Sequence, residues 1–81
     1  RARRRREADL RLARARSRVA LSHAAEAGAD LDQVVALDPK RVDAYELRAG
    51  LRRAANEAAP AAEDQARVEL LRRGYIDIYE K

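Results

Sequence analysis

The chain has no cysteine, methionine, phenylalanine or tryptophan among its 81 residues, and it has a single histidine, His23. Without cysteine there is neither a disulfide framework nor a thiolate metal site, so the sequence gives no information on the redox compartment. One imidazole cannot supply the three or four ligands that a protein zinc site needs. These absences exclude disulfide-rich and zinc-stabilised domains.

Long hydrophobic runs are absent as well. The uncharged segments are far shorter than the about 20 apolar residues of a membrane-spanning helix, and the sequence shows no signal-peptide pattern. We therefore expect a soluble protein, either cytoplasmic or recombinant, that makes no contact with a membrane.

Catalytic patterns are also missing. The three glycines are scattered and form no phosphate-binding loop. Asp30 and Asp32 lack the remaining ligands of a calcium loop, and Ser22 and His23 are adjacent helix positions that point about 100° apart, unlike a nucleophile and its base. We expect no enzyme and no cofactor. Ligation of a haem by His23 inside a helical bundle is the one cofactor alternative.

Arginine is in excess, and its distribution is uneven. Residues 1–18 contain nine arginines against two acids, whereas residues 19–81 contain more acids than bases. Five of the arginines lie in residues 1–6, where neighbouring like charges and the helix dipole each cost roughly 0.3–1 kcal/mol. The sequence therefore predicts a frayed basic arm over residues 1–6 and a single helical domain over residues 7–81.

The first predicted helix, Glu7 to about Ala27, has apolar residues on two nearly opposite sides. The first stripe consists of Leu10, Ala13, Ser17, Ala20, Leu21, Ala24 and Ala27. The second stripe consists of Ala8, Leu12, Ala15, Val19 and His23. A helix with two apolar sides is sandwiched between two layers of protein. A chain of this length, with nineteen alanines, has little core to offer for both.

Local signals divide the middle of the chain. Gly28 is placed to end the first helix as a left-handed C-cap. Asp30 and Gln33 match a capping box, which predicts a short helix ending at Leu37. Asp38 and Pro39 are then expected to start the third helix as N-cap and first helical residue, and this helix runs to about Ala58.

The last predicted helix begins at Ala61, because Pro60 disfavours helical geometry at the residue before it. It runs to about Tyr79. The alternating residues 75–79 are also compatible with a short strand. Tyr75 and Tyr79 are interpreted as packing residues, with a partner-binding patch as the alternative. Together, these signals predict an all-α fold: a small bundle of three longer helices and one short helix, arranged as repeat-like antiparallel hairpins.

The segment from Leu37 to Leu51 resembles a tetratricopeptide repeat. Such repeats end in a hydrophobic residue followed by Asp-Pro, as at Leu37-Asp38-Pro39, and carry an aromatic residue six positions after the proline, here Tyr45. Ala49 stands at the small position ten residues after the proline, and Ala27 at the small position of the preceding helix. The resemblance implies antiparallel helix pairs with a groove that binds protein or peptide.

The whole chain also resembles a computationally designed helical protein. The predicted caps at Asp30 and Asp38, the glycine stop at Gly28 and the abundance of alanine, arginine, leucine and glutamate are all typical of such designs.

The predicted site is a surface for self-association. It comprises Leu12, Ala15, Val19 and His23 of the first helix with Val42, Tyr45 and Ala49 of the third. Pairing between copies through these residues would compensate for the thin core. We therefore predict a structural or interaction protein that forms a homo-oligomer.

The basic residues Arg3, Arg4, Arg5 and Arg6 form an alternative site. Clustered arginines neutralise phosphates and release counterions, which favours nucleic acid. No aromatic residues are interleaved for base stacking, however. A solubilising tail, or pairing with acids of a neighbouring subunit, remains an alternative, as does a repeat-type groove for a peptide.

Overall fold

The computed structural model describes residues 2–74 as four consecutive helices. These are α1 (Ala2–Ala20), α2 (Ala24–Leu37), α3 (Val42–Ala54) and α4 (Ala58–Arg73). Within residues 2–74 there is no strand, and each helix packs on the next one along the chain. The predicted all-α class is confirmed. The question of helix or strand at residues 75–79, and both tyrosines there, lie outside the described residues.

The first helix ends earlier than predicted, at Ala20, and Gly28 lies inside α2. The turn between α1 and α2 is closed by Ser22, which adopts a left-handed φ of 65°. The amide of Ser22 donates to the carbonyl of Val19 at 3.0 Å, and the amide of His23 donates to that of Arg18 at 2.7 Å. This pair of hydrogen bonds is a Schellman ending. Because a serine supplies the left-handed residue, no glycine is needed there.

Gly28 is therefore a helix-interior glycine with open space around it. A Cβ built at Gly28 would have no neighbour within 4 Å. We expect Gly28→Ala to raise the free energy of unfolding by about 1 kcal/mol, since alanine removes the backbone-entropy cost of glycine in a helix. Gly74 provides the matched control, because its φ is 76° and an alanine there is strained. Urea denaturation should show Gly28→Ala stabilising and Gly74→Ala destabilising; two changes of the same sign would contradict this assignment.

The Asp38-Pro39 corner lies at the end of α2 instead of at the start of α3. Asp38 is the C-cap residue of α2, and its carbonyl accepts from the amide of Arg41 at 3.1 Å. The Tyr45 hydroxyl donates to the Pro39 carbonyl at 3.0 Å and holds the corner against α3. Proline lacks the amide that would continue α2. It therefore terminates one helix, and the next begins three residues later at Val42.

The two ends of the described chain also differ from the predicted boundaries. α1 is helical from Ala2, so residues 2–6 continue the helix with every side chain exposed. Repulsion between exposed arginines is screened by water and salt, which makes it too weak to unwind the turn. α4 starts at Ala58 and includes Pro60 in its first turn, where a missing amide costs no intrahelical hydrogen bond.

The core is formed by the second stripe of α1 together with α2 and α3. Its fully buried members are Ala8, Leu12, Ala15, Leu31, Val34 and Ala44, with the partly buried Val35, Leu37, Leu47 and Leu51 packed against them. Outside this cluster, the buried apolar residues that α3 and α4 contribute are Tyr45, Ala49, Ala61 and Val68. The alanines allow close approach of the helix axes at the cost of little apolar area per residue.

Candidate interaction surface

A buried carboxylate clamped by two arginines joins α1 to α2. Asp30 is only 3% exposed. Arg14 donates to it through Nε at 3.1 Å and through Nη2 at 2.7 Å, and Arg18 adds an Nη1 hydrogen bond of 2.9 Å. The hydrogen bonds from Arg14 lower the pKa of Asp30, although burial opposes this shift. The carboxylate is therefore ionised and fully engaged inside its own hairpin.

A second clamp of the same design joins α3 to α4. Asp64 is 2% exposed and accepts from Arg48 Nε at 3.0 Å, from Arg48 Nη2 at 2.8 Å and from Arg52 Nη1 at 2.9 Å. The hydrogen bond to Asp64 raises the pKa of Arg48, and desolvation acts in the opposite direction. Bidentate pairing of this kind holds the two helices together and also fixes their relative orientation.

The two clamps are related by a fixed sequence offset of 34 residues. Arg14, Arg18 and Asp30 correspond to Arg48, Arg52 and Asp64. The same offset relates other pairs: the left-handed Ser22 and Asn56, the buried Ala15 and Ala49, Ala27 and Ala61, and Val34 and Val68. The described chain therefore contains two copies of one helical hairpin, α1–α2 and α3–α4.

The clamps were not predicted from the sequence, because Asp30 was interpreted by itself, as a helix cap. The signal that reveals them is the repeated spacing, since self-comparison of the sequence at an offset of 34 aligns both arginines and the aspartate. The same offset also aligns Asp43-Ala44-Tyr45-Glu46 with residues 77–80, at three of the four positions.

The first helix of each hairpin, α1 or α3, is covered to a different extent. On α3, Ala44 is buried in the core, and Leu47 and Leu51 pack against that core. The residues of α1 at the corresponding positions are Leu10, Ala13 and Ser17, all exposed, with Leu10 at 69%. We call these three residues, with Ala20 and Leu21, the α1 outer face. It corresponds to most of the first stripe.

The guanidinium groups of the two clamps show the same difference. Arg48 uses its third nitrogen, Nη1, to donate to Asp32 of the preceding hairpin at 2.9 Å. Among residues 2–74, no acceptor lies within hydrogen-bond reach of Nη1 of Arg14. Arg14 therefore retains a donor at the position from which Arg48 contacts a neighbouring hairpin.

Four of the seven residues predicted for self-association are buried in the structure. Leu12, Ala15, Tyr45 and Ala49 are buried within the single chain, where they pack the two hairpins. Val19 and Val42 are half-buried, and His23 is exposed with Nδ1 3.6 Å from Glu26. Buried residues cannot contact another copy while the chain stays folded. The exposed apolar side of α1 is the first stripe, the reverse of the predicted assignment.

The predicted basic site is accessible. Arg3, Arg4, Arg5 and Arg6 are all exposed on the first turns of α1, and none of them pairs with an acid in the described part of the chain. They lie on the same helix as the α1 outer face. Arg6 and Arg3 lie four and seven residues before Leu10 and therefore on its side of the helix, whereas Arg4 and Arg5 lie next to Leu37 and Asp38.

A groove of about 520 Å³ lies between the two hairpins. Small residues of α2 form one wall, and Arg48, Leu51 and Arg52 of α3 form the other. Both arginines are already bound to carboxylates.

Among the described residues, no three His, Cys, Asp or Glu side chains are grouped so as to hold a metal ion. No helix in residues 2–74 combines the length and apolar character that a membrane span requires.

Neither a protein-family model nor a curated protein nor a solved structure matches this chain.

Proposed function

We propose that this chain is a non-catalytic interaction domain of the helical-repeat type, and that it self-associates through the α1 outer face. One observation carries the proposal. A surface that is buried on α3 is bare at the corresponding positions of α1. Repeats of about 34 residues are typical of tetratricopeptide-like arrays, in which each hairpin buries its apolar side against a neighbour.

Two exposed leucines would gain free energy from burial in such an interface. Leu10 and Leu21 are 69% and 65% exposed, and full burial of a leucine contributes roughly 1.5–3 kcal/mol. Single exposed apolar residues need no explanation. Here, however, Leu10 stands where the second hairpin has a fully buried alanine. This position, together with the apolar character of Leu10 and Leu21, supports the proposal that the face is an interface.

The basic residues support the same proposal. Arg3 to Arg6 lie on the helix that carries the outer face and have no acid of their own within residues 2–74. Opposite charge on a neighbouring copy would satisfy them and would accelerate association at low salt. Under this proposal the arginines serve protein contact, and binding of nucleic acid is an alternative that the experiment below separates.

The test is light scattering after size exclusion, on protein treated with nuclease. We expect the wild-type mass to exceed the 9.1 kDa of one chain and to rise with concentration. Leu10→Lys should restore the single-chain mass, because it places a charge in the outer face without disturbing the core. Gln33→Lys is the matched control, since Gln33 is exposed on α2 and outside that face. A wild-type chain that stays at 9.1 kDa up to millimolar concentration would refute the proposal.

A further inference from the structure

We infer that the α1 outer face is covered by the α4 side of a second copy, so that copies stack head to tail. The inference rests on the proposed self-association and adds its geometry. In this arrangement α1 of one copy takes the place that α3 occupies within the chain. The α4 helix of the next copy takes the place of α2.

The chain already makes one contact of this kind between its own hairpins. Leu31, Val34 and Val35 of α2 belong to the core cluster to which α3 contributes Ala44, Leu47 and Leu51. At an offset of 34 residues these positions become Gln65, Val68 and Glu69 of α4. Val68 is buried against α3, as Val34 is buried in the first hairpin, while Glu69 is exposed. The α4 surface is therefore the counterpart of the α2 surface, with glutamine in place of Leu31 and glutamate in place of Val35.

The unoccupied donor of Arg14 also points to α4. In the chain, the equivalent nitrogen of Arg48 contacts Asp32 on α2. The residue of α4 that corresponds to Asp32 is Ala66, and the two residues three positions away from it along the helix are Glu63 and Glu69. Both are exposed, and residues three apart share one side of a helix. A copy docked in the proposed way brings one of these carboxylates toward Arg14.

The charge of α1 also favours this arrangement. Four of its eight arginines, Arg3 to Arg6, pair with no acid within residues 2–74, so two α1 helices placed face to face would repel one another. In α4, three acids balance three arginines. Electrostatics therefore favours contact between different surfaces over a two-fold pairing of α1 with itself. A contact between different surfaces that does not close into a ring generates open chains of copies.

The decisive experiment mixes two variants, each with one surface blocked. Leu10→Lys blocks α1, and Ala66→Lys blocks α4 by placing a cation opposite Arg14. We expect each variant alone to have the single-chain mass. Their equimolar mixture should form a one-to-one complex with twice that mass and no larger species, since each partner contributes one intact surface. Ala13→Lys is a second α1 variant, and far-ultraviolet circular dichroism verifies that every variant is folded.

The outcomes separate the two proposals. If Ala66→Lys associates as strongly as the wild type, α4 is not the neighbour and head-to-tail stacking is refuted, while self-association stands. If the folded variants stay at the single-chain mass when mixed, the complementary surfaces do not exist and the inference is also refuted. If the wild type itself never associates, both proposals fail together.

Discussion

Replacing Asp64 by alanine is expected to lower the free energy of unfolding by about 2–3 kcal/mol. The substitution removes the shared acceptor of Arg48 and Arg52, and it leaves Arg48, whose side chain is only 15% exposed, without its main partner. A partly buried guanidinium with unfilled donors incurs a desolvation cost that the folded state no longer offsets. A chain of this length is expected to have only roughly 4–12 kcal/mol of total stability, so the loss is a large fraction of it.

Asp32→Ala is the matched control for this prediction. Asp32 accepts from the same Arg48 at 2.9 Å, but its side chain is 63% exposed. An exposed pair contributes about 0.5 kcal/mol or less. Urea denaturation monitored by far-ultraviolet circular dichroism measures both variants. Equal losses for Asp32→Ala and Asp64→Ala would show that the clamp is an ordinary surface ion pair.

Leu31→Ala should cost about 3 kcal/mol. Leu31 is fully buried in the core cluster to which α1, α2 and α3 all contribute. Removing its terminal carbons loses transfer free energy and leaves a cavity at the junction between the two hairpins. The neighbouring alanines are too small to fill this cavity.

Leu21→Ala provides the comparison for Leu31→Ala. Leu21 is 65% exposed, so its truncation should change the stability of the single chain by less than about 0.5 kcal/mol. Thermal and urea unfolding at low protein concentration, where association does not contribute, measure the difference. A loss at Leu21 as large as the loss at Leu31 would mean that the outer face of α1 is packed within the chain.

The helical class was predictable from the sequence, but the position of the turn between α1 and α2 was not. Alanine and arginine content favour helix throughout, and Pro39 correctly marks a break. At Gly28 the local preference for a C-cap is overridden, because a serine six residues earlier adopts the left-handed conformation instead. A glycine tolerates both a helix interior and a cap, so it does not distinguish them by itself.

The choice between the two stripes of α1 was also beyond local reasoning. Periodicity identifies two apolar sides and does not say which one meets the rest of the chain. The stripe with Leu10 and Leu21 was expected inside, yet the stripe with Ala8, Leu12 and Ala15 is buried. Small residues fit a close crossing with α2, a feature that depends on the partner helix and not on hydrophobicity alone.

The clamps can be recognised only by comparing one hairpin with the other. Arg14 and Asp30 are distant in sequence, and each has a plausible local role on the surface of a helix. Only their recurrence as Arg48 and Asp64 identifies a unit. The likeness to tetratricopeptide repeats, a designed origin and the oligomeric state stay predictions.

The clamps affect how such a chain can gain or lose hairpins in evolution. Each hairpin contains both the acid and the arginines of its clamp. A duplicated hairpin therefore keeps the ion pairs that stabilise it, and deletion of a hairpin breaks no clamp in the other. The contacts between hairpins include the aliphatic residues Leu31 and Val35 of α2 and Leu47 and Leu51 of α3, which a new neighbour with aliphatic residues at these positions can match. A gene encoding this unit can therefore lengthen or shorten in whole steps without a compensating mutation inside the units that remain.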